Sequence, residues 1–209
     1  MSNKTNNANK IDLSRRNLLK TTFAGLVAGV ATPVLPHLFP APAAATVTAK
    51  TKVLIVYYSR SGNSREIANQ IHERVGGNII ELQTVKPYPE EYDAVTKQAK
   101  QELNSGFKPA LKTKVEKIGA YDVIFVGTPI WWGTMATPFK SFLAEYDLSG
   151  KTIVPFITHQ GSGLGRSVTD IAVLCPNSTI LAGLGVWGKD AKTAQNEVSA
   201  WVRRLGMKE

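Results

Sequence analysis

The sequence predicts an α/β fold in which a single doubly wound parallel sheet of five strands is covered by helices. Three observations support this. Short apolar runs alternate with stretches of helical periodicity from residue 52 onward, which is typical of βαβ units. The runs are apolar throughout, as expected for strands covered on both faces. The chain of 209 residues is 43% hydrophobic and 20% charged, which suits one core of ordinary size.

The elements follow one another along the chain. The run at 53–58 predicts the first strand, and the four-residue spacing of Ile67, Ile71 and Val75 predicts a helix over 64–75. The other strands are expected at 79–82, 123–126, 153–157 and 179–184. The other helices are expected around residues 92–103, 139–146, 168–174 and 198–205.

Three smaller features have structural interpretations. The long connection 85–120 fits either a flap beside a pocket or a surface excursion. The G-x-G-x-x-G pattern at 183–188 has too few residues after it for a dinucleotide-binding unit, so it is assigned to the last strand. Cys175 is expected to be a buried thiol without a catalytic role.

Residues 1–45 are interpreted as an export signal and residues 46–209 as the domain. Ser14-Arg15-Arg16-Asn17-Leu18-Leu19-Lys20 precedes an uncharged stretch rich in alanine and glycine. The arginine pair resembles the twin-arginine signal of bacteria, which implies export of a folded protein to the periplasm through the twin-arginine machinery. A Sec signal or a retained N-terminal anchor is the alternative. Pro33 and Pro36 disfavour a stable membrane span.

The charge and the residue counts exclude several classes of function. The net charge of +9 falls to +5 for residues 46–209, where 20 basic and 15 acidic residues remain. These basic residues are scattered and not interleaved with aromatics, so no nucleic-acid partner is expected. One cysteine excludes an internal disulfide, and three histidines disfavour a dedicated metal site. No spacing of serine, histidine and acid suggests a hydrolase.

Three polar or glycine-rich segments follow predicted strands, and ligands of open parallel sheets bind at the carboxyl ends of the strands. The first segment is Ser59-Arg60-Ser61-Gly62-Asn63-Ser64. It opens a helix, and its hydroxyls and backbone donors are suited to a phosphate. Capping of the helix by Ser61 or Ser64 is an equally good interpretation.

The second segment is Gly127-Thr128-Pro129-Ile130-Trp131-Trp132-Gly133, and the third is Thr158-His159-Gln160-Gly161-Ser162-Gly163. The adjacent tryptophans could stack on a planar heterocycle, or one could be core while the other covers the sheet edge. The glycines of the third segment allow close approach of backbone to a ligand, or simply form a flexible turn. Together the three segments fit a mononucleotide with a flat ring system.

Over 52–205 the chain resembles the flavodoxin-like FMN-binding proteins, through residues 57–64, 129–133 and 161–163. The resemblance implies strand order 2-1-3-4-5. It also implies FMN, with its phosphate in the first segment and its isoalloxazine between the second and third. His159 and Gln160 stand where related sequences often have small residues, so the contacts to the ring edge are left open.

The resemblance implies an electron carrier with a redox partner protein. Flavodoxin carriers are usually acidic, however, and this domain carries +5. An FMN-dependent NAD(P)H:quinone-type reductase with a small quinone-like acceptor is therefore the main alternative. A non-catalytic exported FMN-binding module is the third.

Overall fold

The computed structural model describes residues 51–207. The predicted export signal at 1–45 lies outside the described residues.

A sheet that is parallel except for its short strand β4 forms the centre of the domain. Its strands are β1 Val53–Tyr57, β2 Asn78–Glu81, β3 Val123–Trp131, β4 Thr134–Met135, β5 Thr152–His159, β6 Thr179–Ile180 and β7 Leu184–Trp187. The order is β2-β1-β3-β5, and β6 and β7 both pair with β5 on its far side. If β6 and β7 are counted as one position, this is the order 2-1-3-4-5, and the predicted fold class is confirmed.

The fifth strand position is interrupted, whereas the sequence predicts one run over 179–184. β6 pairs with Thr152 and Ile153, and β7 pairs with the stretch from Phe156 to His159. The interruption lies beside Pro155, which has no N–H to donate to a neighbouring strand. A Cβ on Gly183 would lie 3.4 Å from the Pro155 carbonyl oxygen, so the chain crosses this point closely. The G-x-G-x-x-G pattern therefore belongs to β7 and the residues beside it.

Within residues 51–207, five α-helices cover the two faces of the sheet. They are α1 Asn63–Val75, α2 Tyr92–Ser105, α3 Thr137–Glu145, α4 Ser167–Leu174 and α5 Gln195–Arg204. Alternate residues of β1 point to opposite faces: Ile55 packs with α1 and α5, whereas Leu54 packs with α3 and α4. Both side chains are fully buried, and each such burial contributes about 1.5–3 kcal/mol.

The second segment is mostly strand rather than loop. β3 continues to Trp131, because its ladder with β5 extends through Pro129 opposite Thr158. It then turns back into β4, with Trp131 opposite Thr134. The two turn residues, Trp132 and Gly133, have φ angles of 51° and 79°, as in a type I′ hairpin.

Two absences hold for the part of the chain that the structure describes. No helix between residues 51 and 207 is both long enough and apolar enough to cross a membrane. Within the same residues, no three side chains of histidine, cysteine, aspartate or glutamate are grouped as a metal site would require.

Candidate functional site

A cavity of about 350 Å³ opens at the carboxyl ends of β1, β3 and β5, and we call it the first cavity. Twelve of the eighteen predicted site residues line it. They are Arg60, Ser61, Asn63, Pro129, Ile130, Trp131, Trp132, Gly133, Thr158, His159, Gln160 and Ser162. The structure therefore brings the three segments together. Ser59, Gly62, Ser64, Thr128, Gly161 and Gly163 do not line it.

The N-terminus of α1 forms one end of the first cavity. The N-cap is Gly62, with φ of 89°, a conformation that favours glycine and provides no capping side chain. Ser59 Oγ accepts a hydrogen bond from the Arg65 N–H at 3.3 Å, so the capping serine is neither of the two expected. No acceptor within residues 51–207 is paired with the N–H groups of Asn63 and Ser64. Free donors and the helix dipole together favour an anion here.

Ser64 joins the first segment to the third. Its hydroxyl lies 2.7 Å from Thr158 Oγ1, and both side chains are buried. The start of α1 is also packed closely against Gly188, since a Cβ on Gly188 would lie only 2.5 Å from Asn63 Nδ2. The separation between the helix terminus and the end of β5 is therefore fixed by packed side chains.

Trp131 belongs to an aromatic cluster. Its ring meets Tyr58 at 5.6 Å and Tyr88 at 5.0 Å, in edge-to-face geometry. Burial raises the pKa of Tyr58 to about 12, so that hydroxyl stays protonated at neutral pH. Trp131 thus packs against the core and also lines the first cavity.

Behind this cluster lies a buried carboxylate, Glu102 on α2. It accepts hydrogen bonds from Tyr88 Oη and Thr137 Oγ1, each at 2.5 Å, and from Gln98 Nε2 at 2.9 Å. Burial, followed by the bond to Glu102, raises the pKa of Tyr88. Thr137 and Gln98 hold the Glu102 carboxylate, which in turn fixes Tyr88, one of the neighbours of Trp131.

Trp132 lies at the rim, with 51% of its surface exposed. Its Nε1 donates to the Thr96 carbonyl at 3.0 Å, and Lys100 Nζ sits 4.5 Å from the ring centroid. These contacts hold the side chain although its φ of 51° is unfavourable for a bulky residue. Such local strain is often found at binding sites.

His159, at the end of β5, has a defined tautomer. Its Nδ1 accepts the Gly161 N–H at 2.9 Å, so the neutral ring carries its proton on Nε2. The Gly161 amide is consequently engaged within the third segment. The imidazole lies 6.3 Å from the half-exposed ring of Trp187.

Thr128 does not line the first cavity. It makes structural hydrogen bonds instead. It is fully buried, and its Oγ1 accepts the Ala136 N–H at 3.1 Å and donates to the Pro129 carbonyl. These bonds hold the hairpin of β3 and β4 together. Thr128 therefore acts on the first cavity through the position of the tryptophans that follow it.

Sequence reasoning missed the wall formed by α2. Tyr92, Val95, Thr96 and Ala99 line the first cavity opposite the three segments. The helical spacing in the long connection was visible in the sequence, but not the direction its apolar face would take. Of the two interpretations of that connection, the structure favours an element beside a pocket.

Comparisons with solved structures agree with this architecture. A protein of Bacteroides eggerthii assigned as a flavoprotein is 30% identical, with a TM-score of 0.67. That match covers 76% of this chain and 99% of the other. The flavoprotein of Lactobacillus acidophilus NCFM, solved in complex with FMN, is 22% identical with a TM-score of 0.58. That match covers 68% of this chain and 97% of the other, and at this identity it concerns the fold alone.

Curated relatives match a shorter stretch. The NAD(P)H dehydrogenase (quinone) of Bradyrhizobium sp. strain BTAi1 is 36% identical over 98 residues, 46% of this chain and 46% of that protein. The enzyme of the same name from Afipia carboxidovorans gives the same figures. The chain thus spans less than half the length of these relatives.

The family assignment rests on a longer match. A family model described as flavodoxin matches residues 52–205, which include every strand of the sheet and all three segments of the first cavity. The chain therefore belongs to the flavodoxin family.

Proposed function

We propose that this protein binds FMN in the first cavity and transfers electrons through the bound flavin. A single observation carries the proposal: one cavity joins the N-terminus of α1, where the Asn63 N–H has no partner among residues 51–207, to two tryptophans at the other end. An FMN molecule has the matching polarity, with a phosphate at one end and a flat, largely apolar ring system at the other.

The residues present fit this group. Ser61 and Asn63 line the cavity, and the Asn63 N–H and the Ser61 hydroxyl supply donors for the phosphate. Arg60 is held nearby by its bond to the Glu90 carbonyl at 2.7 Å and by the Tyr92 ring, 5.8 Å away. Its guanidinium adds a positive charge at the same end of the cavity.

The other end is suited to a ring. Trp131 is oriented by Tyr58 and Tyr88, and Trp132 by its bond to α2. Val95 and Ala99 of α2 are buried apolar side chains that exclude water from the same wall. His159, with its proton on Nε2, is a hydrogen-bond donor at the rim. Bound FMN supplies one- and two-electron chemistry, while these side chains set its environment.

The proposal is tested by titrating the purified protein with FMN and with riboflavin, which lacks the phosphate. We expect FMN to bind more tightly by at least tenfold, as charge-assisted bonds to an anion imply. Equal affinity for the two flavins would contradict a phosphate site at α1. A protein that takes up neither would refute the whole proposal.

A matched pair of variants tests the ring end. Trp132→Leu is expected to weaken FMN binding about tenfold, the usual effect of losing one aromatic stacking partner. Phe107→Leu is the control, because Phe107 has similar exposure, 57% against 51%, but lies outside the first cavity. Equal effects of the two substitutions would contradict the assignment of the ring.

Two modes of turnover remain as candidates. In the first, the protein is an electron carrier that reacts with a redox partner protein. In the second, it is a reductase that oxidises NAD(P)H and reduces a small quinone-like acceptor, which the names of the curated relatives favour. The carrier should show little NAD(P)H oxidation with quinone, whereas the reductase should show many turnovers. Binding of FMN with neither activity would identify a non-catalytic module.

We also propose that residues 1–45 direct export through the twin-arginine machinery to the periplasm, with FMN acquired in the cytoplasm beforehand. The double variant Arg15→Lys/Arg16→Lys should leave the precursor in the cytoplasm on cell fractionation. Lys4→Arg/Lys10→Arg, which likewise keeps the charge and exchanges the same two residue types outside the motif, should not. Export unaffected by the arginine changes would favour a Sec signal, and mature protein in the membrane fraction would favour a retained anchor.

A further inference from the structure

A second cleft, of about 390 Å³, lies between the end of α2, α3 and α4. The function proposed above makes no use of it. Its lining combines exposed apolar side chains with an excess of positive charge.

The apolar part is formed by Phe107, Val173 and Leu174, which are 57%, 73% and 39% exposed. Seven large hydrophobic side chains are exposed within residues 51–207, and three of them line this one cleft. Exposed apolar side chains scattered singly need no explanation, but a cluster beside a concave surface indicates a binding site.

The charged part contains Lys108, Lys140 and Arg166. Asp170 is a partly buried acid among them, and it is already engaged by the Thr134 hydroxyl and by Arg166 Nε at 3.2 Å. The other acid is Glu102, whose carboxylate is buried and accepts three hydrogen bonds from neighbouring side chains. Three cations therefore face two carboxylates that already have partners.

Among the three cations, Lys140 is the one that a bound anion should stabilise most. Its Nζ lies 3.9 Å from Asp170 Oδ2, which is too long for a hydrogen bond. Burial lowers its pKa, the Asp170 charge opposes this, and the charges of Arg166 and Lys108 lower the pKa further. A partly buried ammonium beside two other cations is stabilised by an anion that can accept its protons.

We propose that the second cleft binds a small amphipathic carboxylate, with its anionic group on Lys140 and Lys108 and its apolar body on Phe107, Val173 and Leu174. The volume suits a molecule with a single ring or a short branched chain. This site is separate from the first cavity, and its existence does not depend on FMN binding.

The test is calorimetric titration of the full chain with 4-phenylbutyrate, with and without saturating FMN. The matched ligands are 4-phenylbutan-1-ol, which keeps the ring and lacks the charge, and butyrate, which keeps the charge and lacks the ring. We expect 4-phenylbutyrate to bind at least tenfold more tightly than either. No binding at millimolar concentration, equal affinity for the alcohol, or displacement by FMN would overturn the proposal.

Variants then locate the site. Lys140→Met keeps the length of the side chain and removes the charge, and it should weaken 4-phenylbutyrate binding about tenfold. Lys97→Met is the control, since Lys97 is exposed on α2 and does not line the cleft. Val173→Ser, at a mostly exposed position, should weaken binding a few fold without unfolding the protein. Undiminished binding by Lys140→Met, or equal weakening by Lys97→Met, would refute the assignment.

Discussion

Gly127 is the position in β3 where an added methyl group should be most damaging. A Cβ placed on this residue would lie 2.0 Å from Phe156 Cζ and 2.3 Å from Cε2. The two residues are register partners on β3 and β5, and Phe156 is fully buried. Gly127→Ala therefore forces the aromatic ring to move, although it has no open space around it.

The size of the effect follows from that geometry. Ordinary contact begins at 3.4 Å, so the ring has to retreat by 3.4 minus 2.0, or about 1.4 Å. Overpacking of a core usually costs about 1–3 kcal/mol, and a displacement of this size belongs at the upper end, about 3 kcal/mol. For a domain of this length, that is a fall in Tm of about 6–12 °C.

Urea unfolding followed by circular dichroism measures the change in the free energy of unfolding. Gly119→Ala is the control, because a Cβ there meets nothing within 4 Å and its effect should stay within about 0.5 kcal/mol. Phe156→Leu shortens the opposing side chain and should cost about 1–2 kcal/mol alone. Combined with Gly127→Ala, it should recover at least about 1.5 kcal/mol of the sum of the single effects.

Two results would refute this reasoning. A free energy of unfolding for Gly127→Ala within about 0.5 kcal/mol of the parent would mean that the ring is not confined. Additive single effects in the double variant would mean that the destabilisation comes from somewhere other than the contact with Phe156.

Two further predictions concern buried titratable groups. Because the pKa of Tyr58 is raised from 10 to about 12, its contribution to stability is complete below pH 10 and is lost between pH 10 and 12. Ultraviolet titration of the folded protein should show a tyrosine component ionising around pH 12 that Tyr58→Phe removes, and the free energy of unfolding should fall between pH 10 and 12. Burial also raises the pKa of the Cys175 thiol, so a thiol reagent at pH 8 should react slowly until urea unfolds the protein. Equal rates in the two states would contradict a buried thiol.

The sheet could be predicted from sequence because its strands are buried on both faces. Every residue of β1 is buried, and such continuous apolar runs leave few alternatives. The amphipathic helices could be predicted equally well. In α1, for example, Ile67 and Ile71 lie on one face, and that face is buried against the core. In these elements, local pattern and tertiary environment agree.

The ends of the strands could not be predicted, because the controlling contacts are non-local. Glycine, threonine and proline at 127–129 do not resemble a strand, yet β3 continues through them since β5 offers partners as far as Thr158. The hairpin turn could not be predicted from the sequence for a different reason. Type I′ turns favour Asn-Gly, and here Trp132 occupies the first position, held there by its contacts with Thr96 and Lys100.

The helix in the long connection contributes side chains to both concave surfaces. One stretch of α2, with Val95 and Ala99, walls the first cavity, and Glu102, one turn further along, lines the second cleft. Glu91 fixes the start of the helix, since its carboxylate accepts two backbone N–H groups at 2.8 and 2.6 Å. Glu102 in turn holds Tyr88, which packs against Trp131. A substitution of Glu102 should therefore alter flavin and carboxylate binding together, whereas a change at a buried strand residue such as Phe156 should act mainly on stability.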